Sequence, residues 1–317
     1  MKHILILLLL LITAGGLQAQ TIIDLKPGGG VRAKTIDDYK DEMKMAEKLR
    51  EDSLTYVDNL RRAFNALHTD SLNEAESLLN EALKLRPHAP GNHVVRYNLA
   101  QIARARGQWK QALEQYNELL KHYPDYTDVR LARAELNLQL GKDAEAVTDA
   151  NALLAPERQA LLTANMHESA RFIRAAARYR LHLYAEARTD LHQLLKDNPA
   201  NESARVLEAL ILEKTGRPNE ALERLNLIVA AHPKSIEALT ARAGVHTALG
   251  MHGPARADYD ALIALCPDDA NLYIERARVL ISLEAFGQAR HDLQRAMDLG
   301  VPRGVVQSLL NLTYKHQ

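Results

Sequence analysis

Arginine recurs at Arg62, Arg133, Arg174, Arg242 and Arg276, and the last four are each followed sixteen residues later by Asp149, Asp190, Asp258 and Asp292. At another place the signs reverse, with Glu208 set against Arg224. Where the arginine column holds Leu99, the partner position holds the uncharged Gln115. Two chemistries fit such columns. A row of guanidinium groups could grip a carboxylate ligand through forked hydrogen bonds. Alternatively, each arginine pairs with its own aspartate across two helices. The compensated sign reversal predicts the second. Such pairs fix register more than they stabilise, since an exposed pair contributes about 0–1 kcal/mol.

No catalytic constellation stands out. The 13 histidines form neither a His-Glu-x-x-His helix motif nor a Cys/His metal cluster. His88 and His93 fall in an insertion and read as solvated loop residues. Asp37-Asp38 and Asp268-Asp269 stand at helix starts, where acids complement the helix dipole rather than act as an acid–base pair. Gly28-Gly29-Gly30 lacks the strand before and helix after that a phosphate cradle needs. Cys266, beside Pro267, is the single cysteine and reads as a small buried apolar residue. The chain therefore reads as non-enzymatic, with no cofactor and no metal. Lys plus Arg and Asp plus Glu are 40 each, so zero net charge gives no support for nucleic-acid or anionic-membrane binding.

The elements that carry these columns are set out by alanine. One column is Ala63, Ala100, Ala134, Ala175, Ala209, Ala243, Ala277, and a second is Ala75, Ala112, Ala146, Ala187, Ala221, Ala255, Ala289. Each pair is twelve residues apart, and the step between pairs is 34 except for one of 37 and one of 41. A period in this range marks stacked supersecondary units. Pro87, Pro124, Pro156, Pro199, Pro233, Pro267 and Pro302 close the units, because proline cannot continue a helix. Gly107, Gly141, Gly216 and Gly250 mark a mid-unit turn. Between these landmarks apolar residues recur at three and four, as in Ala112, Leu113, Tyr116, Leu119 and Leu120, which places them on one helix face. Each unit thus reads helix, turn, helix, turn. Alanine is required where the two helices cross.

The run Leu99-Ala100, Gly107-Gln108-Trp109, Ala112, Tyr116, Pro124 resembles the tetratricopeptide repeat family, and the resemblance covers residues 56–303. It implies an all-α, right-handed solenoid of helical hairpins, about seven units long, with cap helices at both ends. It also implies that the first helix of each unit lines a concave groove that binds a peptide or helix of a partner protein. Carried over unit by unit, the groove candidates include Tyr97, Gln101, Arg104, Glu135, Phe172, Tyr179, Leu210, Glu213 and Arg278. Val206, Thr240, Gly244, Thr247 and Ile274 are expected on the same face. The lysine and asparagine set that clamps a terminal carboxylate in chaperone-binding members is not evident.

The termini complete the organisation. Met1-Lys2-His3, the apolar run Ile4 to Ala14 and the small residues after it read as a signal peptide over 1–19, with cleavage after Ala19. No cysteine follows, so lipoprotein anchoring is not expected. Residues 20–34 read as a flexible linker. A leader helix over 35–55, with Ile36, Tyr39, Met43, Ala46 and Leu49 on one stripe, is expected to pack on the first unit, and 304–317 forms a C-terminal cap. Asp52-Ser53-Leu54 and Asp70-Ser71-Leu72 resemble short acceptor motifs for O-linked glycans of envelope proteins. The sequence therefore describes an exported bacterial scaffold, periplasmic or secreted. The competing expectation is a structural protein that assembles with itself through the leader helix or the solenoid ends.

Overall fold

Alanine at the crossing of two helices predicts that nothing longer fits, and all fourteen column alanines are 0% exposed. In the computed structural model, which describes residues 36–314, the first three units are α1 (Ile36–His68) with α2 (Leu72–Leu85), α3 (Asn92–Ala105) with α4 (Trp109–His122), and α5 (Thr127–Gln139) with α6 (Asp143–Leu153). A short 3-10 turn, Pro156–Leu161, fills the longer insertion. Then come α7 (Ala164–Arg180) with α8 (Tyr184–Asp197), α9 (Glu202–Lys214) with α10 (Pro218–Ala231), α11 (Ile236–Ala248) with α12 (His252–Leu265), and α13 (Ala270–Ser282) with α14 (Phe286–Asp298). The last helix is α15 (Arg303–Tyr314). No strand occurs among the described residues, and the architecture is an all-α helical solenoid.

The mid-unit turn is the same in every unit. Gly107, Gly141, Gly216 and Gly250 have φ between 68° and 82°. The equivalent positions Asp70, His182 and Glu284 also take positive φ, between 57° and 61°. A backbone N–H one residue further on closes each helix onto the carbonyl five residues back, as Gln108 does to Ala103 at 2.9 Å and Ala285 to Leu280 at 2.9 Å. Glycine adopts this conformation at no steric cost, whereas other side chains carry strain. The glycine signal in the sequence was therefore the easy part of a turn that all seven units share.

The arginine columns form a buried ladder. Arg133 donates to Asp149 at 2.8 and 2.6 Å, Arg174 to Asp190 at 2.9 and 2.5 Å, and Arg276 to Asp292 at 2.8 and 2.7 Å. Arg242 donates to Asp258 at 2.6 Å, and Glu208 pairs with Arg224 in the reversed sense. The four aspartates are 1–4% exposed. Each of the four arginines sends Nη1 to the second helix of the preceding unit, to Asn117, Asn151, Asn226 or Asp260, at 2.7–3.0 Å. One guanidinium thus ties three helices together, which its planar fork permits and a lysine would not. A row of arginines open to a ligand is excluded. Where Leu99 replaces the arginine, Gln115 Oε1 is buried without a hydrogen-bond partner.

The ends depart from the expected arrangement. The leader does not fold back on the first unit. It continues without a break into that unit's first helix as α1, and every residue from Lys40 to Glu51 is exposed. No breaker interrupts the helical pattern between Glu42 and Leu60, so nothing turns the chain. At the other end α15 buries Val306, Leu309 and Leu310 against α13 and α14, while Val305 faces outward. The signal-peptide and linker readings lie outside the described residues. No described helix is long and apolar enough to cross a membrane.

Candidate functional site

First helices of neighbouring units pack on one another, α5 on α7 and α9 on α11. The candidate side chains are all carried on first helices, α3, α5, α7, α9, α11 and α13. They fall into separate groups.

The first group lies between α3 and α5. Arg104 donates to Glu135 at 2.8 Å, and Gln101 Nε2 donates to the Tyr97 hydroxyl at 2.6 Å. The Tyr116 hydroxyl, from α4, donates to Gln101 Oε1 at 3.0 Å. The Tyr97 ring lies tilted against Tyr126 at 5.7 Å and against Tyr116 at 6.3 Å between centroids. His93 lies 5.0 Å from Tyr123 and 5.5 Å from Tyr126. Burial pushes the Tyr97 hydroxyl up to about 12, with the nearby acids Asp128 and Glu135 adding to it and Gln101 working against it. Burial likewise raises Tyr116 and Tyr126. For Arg104, burial favours the neutral form, but the hydrogen bond and charge of Glu135 outweigh it and raise the guanidinium above its ordinary value. The group is a partly buried aromatic cluster with the Arg104 guanidinium paired to Glu135 at its edge.

The second group joins α7 and α9. The Tyr179 ring lies tilted against Tyr184 at 5.8 Å between centroids, and His182 Nδ1 is 2.8 Å from the Tyr184 hydroxyl. Glu213 pairs with Lys214 at 3.0 Å. Burial raises the Tyr179 pKa, with Lys214 lowering and Glu213 raising it.

The remaining candidates separate from these two groups. Phe172 packs against the core built from Ala175, Leu191 and Leu207, and Leu210 against that of Leu225, Ala238 and Ala243. Both are half-buried, so much of their surface holds helices together. Val206 and Ile274 are core residues at 1% and 8% exposure, a correction to their expected place on the groove. Their positions lie three residues before the alanine, where the helix turns toward its neighbour. Arg278 is exposed and pairs with Glu275 one turn before it, at 3.3 Å. Thr240, Gly244 and Thr247 are exposed and small, so the candidate positions are aromatic in the N-terminal half and small and polar further on.

Sequence reasoning missed His93, Tyr116, Tyr123 and Tyr126. His93 is not a solvated loop residue, because α3 begins one residue earlier and its first turn carries the ring into the tyrosine cluster. Tyr116 was visible as part of the α4 apolar face, but its hydroxyl contact was not. Tyr126 occupies the connection before α5 and belongs to no repeat landmark. Among the described residues no three His, Cys, Asp or Glu side chains converge in a way that could hold a metal. Cys266 is half-buried, and Asp269 caps α13 by accepting from the Asn271 N–H at 2.9 Å.

Comparison with known proteins agrees with this geometry. The family description tetratricopeptide repeat matches residues 66–136 and 181–244. A crystal structure of a tetratricopeptide repeat protein from Parabacteroides merdae ATCC 43184 superposes with a TM-score of 0.70 at 25% identity, covering 82% of this chain and 99% of that one. The crystal structure of the APC/C hetero-tetramer Cut9-Hcn1 superposes with a TM-score of 0.59 at 10% identity over 81% of this chain and 55% of that one, a likeness of fold alone. A curated relative, cellulose synthase operon protein C of Xanthomonas axonopodis pv. citri (strain 306), is 28% identical over 199 residues, or 61% of this chain. The matched stretch is only 12% of that relative's length. The chain carries tetratricopeptide repeats.

Proposed function

We propose that this protein is a non-catalytic interaction scaffold of the cell envelope that captures an extended peptide or a helix of a partner protein in its inner groove. The family supports a protein-interaction scaffold. The observation that carries the finer reading is the partly buried tyrosine cluster around Tyr97, beside an Arg104–Glu135 pair that carries no net charge. Tyrosine supplies large contact area with few rotors to immobilise, together with a hydroxyl for main-chain hydrogen bonds. A groove with a neutralised guanidinium selects shape and apolar side chains over charge. The envelope assignment rests on the N-terminal sequence signature alone.

The test is affinity capture with crosslinking from envelope extract, using the native protein and a Tyr97→Ala, Arg104→Ala, Tyr179→Ala variant shown by melting to be folded. A polypeptide held by the native protein and lost with the variant supports the reading. Equal retention of every captured polypeptide by both contradicts it.

A further inference from the structure

We propose that the rings of Tyr97 and Tyr126, together with the Asp128 carboxylate, bind the cationic side chain of a lysine or arginine in the partner's peptide; this deepens the groove reading above and rests on it. One ring comes from α3 and the other from the residue before α5, and their centroids lie 5.7 Å apart with the planes tilted by 46°. His93 stands against Tyr126 at 5.5 Å and 75°, and against Tyr123 at 5.0 Å and 39°. Rings tilted in this way turn their faces in several directions, whereas a parallel stack would hide them. Tyr123 is 45% exposed, and Tyr97, Tyr126 and His93 keep part of their surface in contact with solvent. The face of a tyrosine ring carries negative charge and attracts an ammonium or guanidinium group.

Charge selects the occupant. Asp128 stands exposed in the first turn of α5, two residues after Tyr126. Its charge acts on both rings and raises the pKa of each hydroxyl. Among the described residues it forms no ion pair, because the cations nearby in the chain and cluster are held elsewhere. Arg104 is taken by Glu135, Arg130 by Asp149 and the Pro124 carbonyl, and Arg158 by Asp125. The atoms packed around the Asp128 carboxyl exclude enough water to raise it above its ordinary value, its own backbone N–H works against that, and no cation acts on it. Two acids, Asp128 and Glu135, thus act on Tyr97 against one cation, Arg104. A positive group arriving at the rings supplies the missing charge and gains the ring faces as well, which neither a neutral nor an acidic side chain does. An acid in the first turn also complements the dipole of α5, a role that leaves the carboxylate free to accept from a ligand.

The test titrates the full chain, carrying isotope-labelled tyrosine rings, with acetyl-Gly-Arg-Gly-amide, acetyl-Gly-Lys-Gly-amide and the neutral acetyl-Gly-Gln-Gly-amide, followed by nuclear magnetic resonance. The buffer is held at about pH 8, where an ordinary histidine is neutral. Ring signals are assigned with Tyr97→Phe and Tyr126→Phe. The two basic probes are expected to shift the Tyr97 and Tyr126 signals to saturation, and the neutral probe to leave them in place. Asp128→Asn, shown by melting to be folded, is expected to weaken the basic probes about tenfold, a change of about 1.4 kcal/mol, and Tyr126→Leu to weaken them as well. Asp125→Asn removes an equal charge three residues earlier, from the pair with Arg158, and is expected to leave their binding native. No saturable shift with the basic probes, an equal shift with the neutral one, or equal weakening by Asp125→Asn overturns the proposal. The probes need no partner protein. A silent titration beside successful envelope capture therefore sinks the cation site alone, and a saturating one beside failed capture supports the site while the groove reading falls.

Discussion

Arg104 on α3 donates to Glu135 on α5 over 2.8 Å, linking the first helices of two consecutive units. Both side chains keep contact with solvent, at 26% and 37% exposure. A pair so placed adds little to folding, about 0–1 kcal/mol. Arg104→Ala is therefore expected to lower thermal stability by less than about 1 kcal/mol, while weakening capture of the groove partner. Denaturant melting beside a binding isotherm checks both halves.

The buried ladder behaves differently. Asp258 is 3% exposed and meets both Arg242, at 2.6 Å, and His246, at 2.9 Å. Removing one member of such a group strands the other charge, at a cost of about 3 kcal/mol. Asp258→Ala should destabilise by that amount in urea unfolding, whereas Glu208→Gln, from the more exposed reversed pair, should cost less than about 1 kcal/mol.

The shared turn gives a prediction of opposite sign at two equivalent positions. Glu284 holds φ 58° with a full side chain, and Gly250 holds φ 68°. Glu284→Gly is expected to stabilise by about 0.5–1 kcal/mol and Gly250→Ala to destabilise by about 1 kcal/mol, as left-handed strain is removed or introduced. Nothing lies within 4 Å of a Cβ at Gly250, so no steric clash adds to the backbone strain there. Chemical denaturation of both variants reads it directly.

Most of the fold was legible because the repeat writes each constraint many times. Ala63 alone means nothing, but two alanine columns of fixed spacing locate every helix crossing. The reversal at Glu208 and Arg224 made a contact visible without coordinates. What stayed hidden was written once. The tyrosine cluster is assembled from α3, α4 and the connection before α5, and no period ties Tyr126 to Tyr97. The open face of α1 was hidden for another reason. Helical spacing shows that Met43 and Leu49 lie on helix faces, yet it does not say whether a second element covers them.

The tyrosines also predict an alkaline response. The Tyr97 pKa is raised from 10.0 to about 12. The unfolded chain begins to lose this proton near pH 10 while the folded chain holds it, so the stabilising contribution is complete below about pH 10. It is lost as pH rises through about 12. Absorbance titration of tyrosinate should show Tyr97 silent at pH 11, and Tyr97→Phe should flatten the decline of stability between pH 10 and 12. Tyr97 ionising together with the exposed tyrosines would contradict the buried cluster.

The central claim is that partners enter the inner face, and site-specific photocrosslinking tests it most directly. A photoreactive residue is placed in turn at Tyr97, at Tyr179 and, on the outer helix α10, at the 66% exposed Leu227. One polypeptide is expected to crosslink from both inner positions and not from Leu227. Crosslinking from Leu227 with both inner positions silent would contradict it.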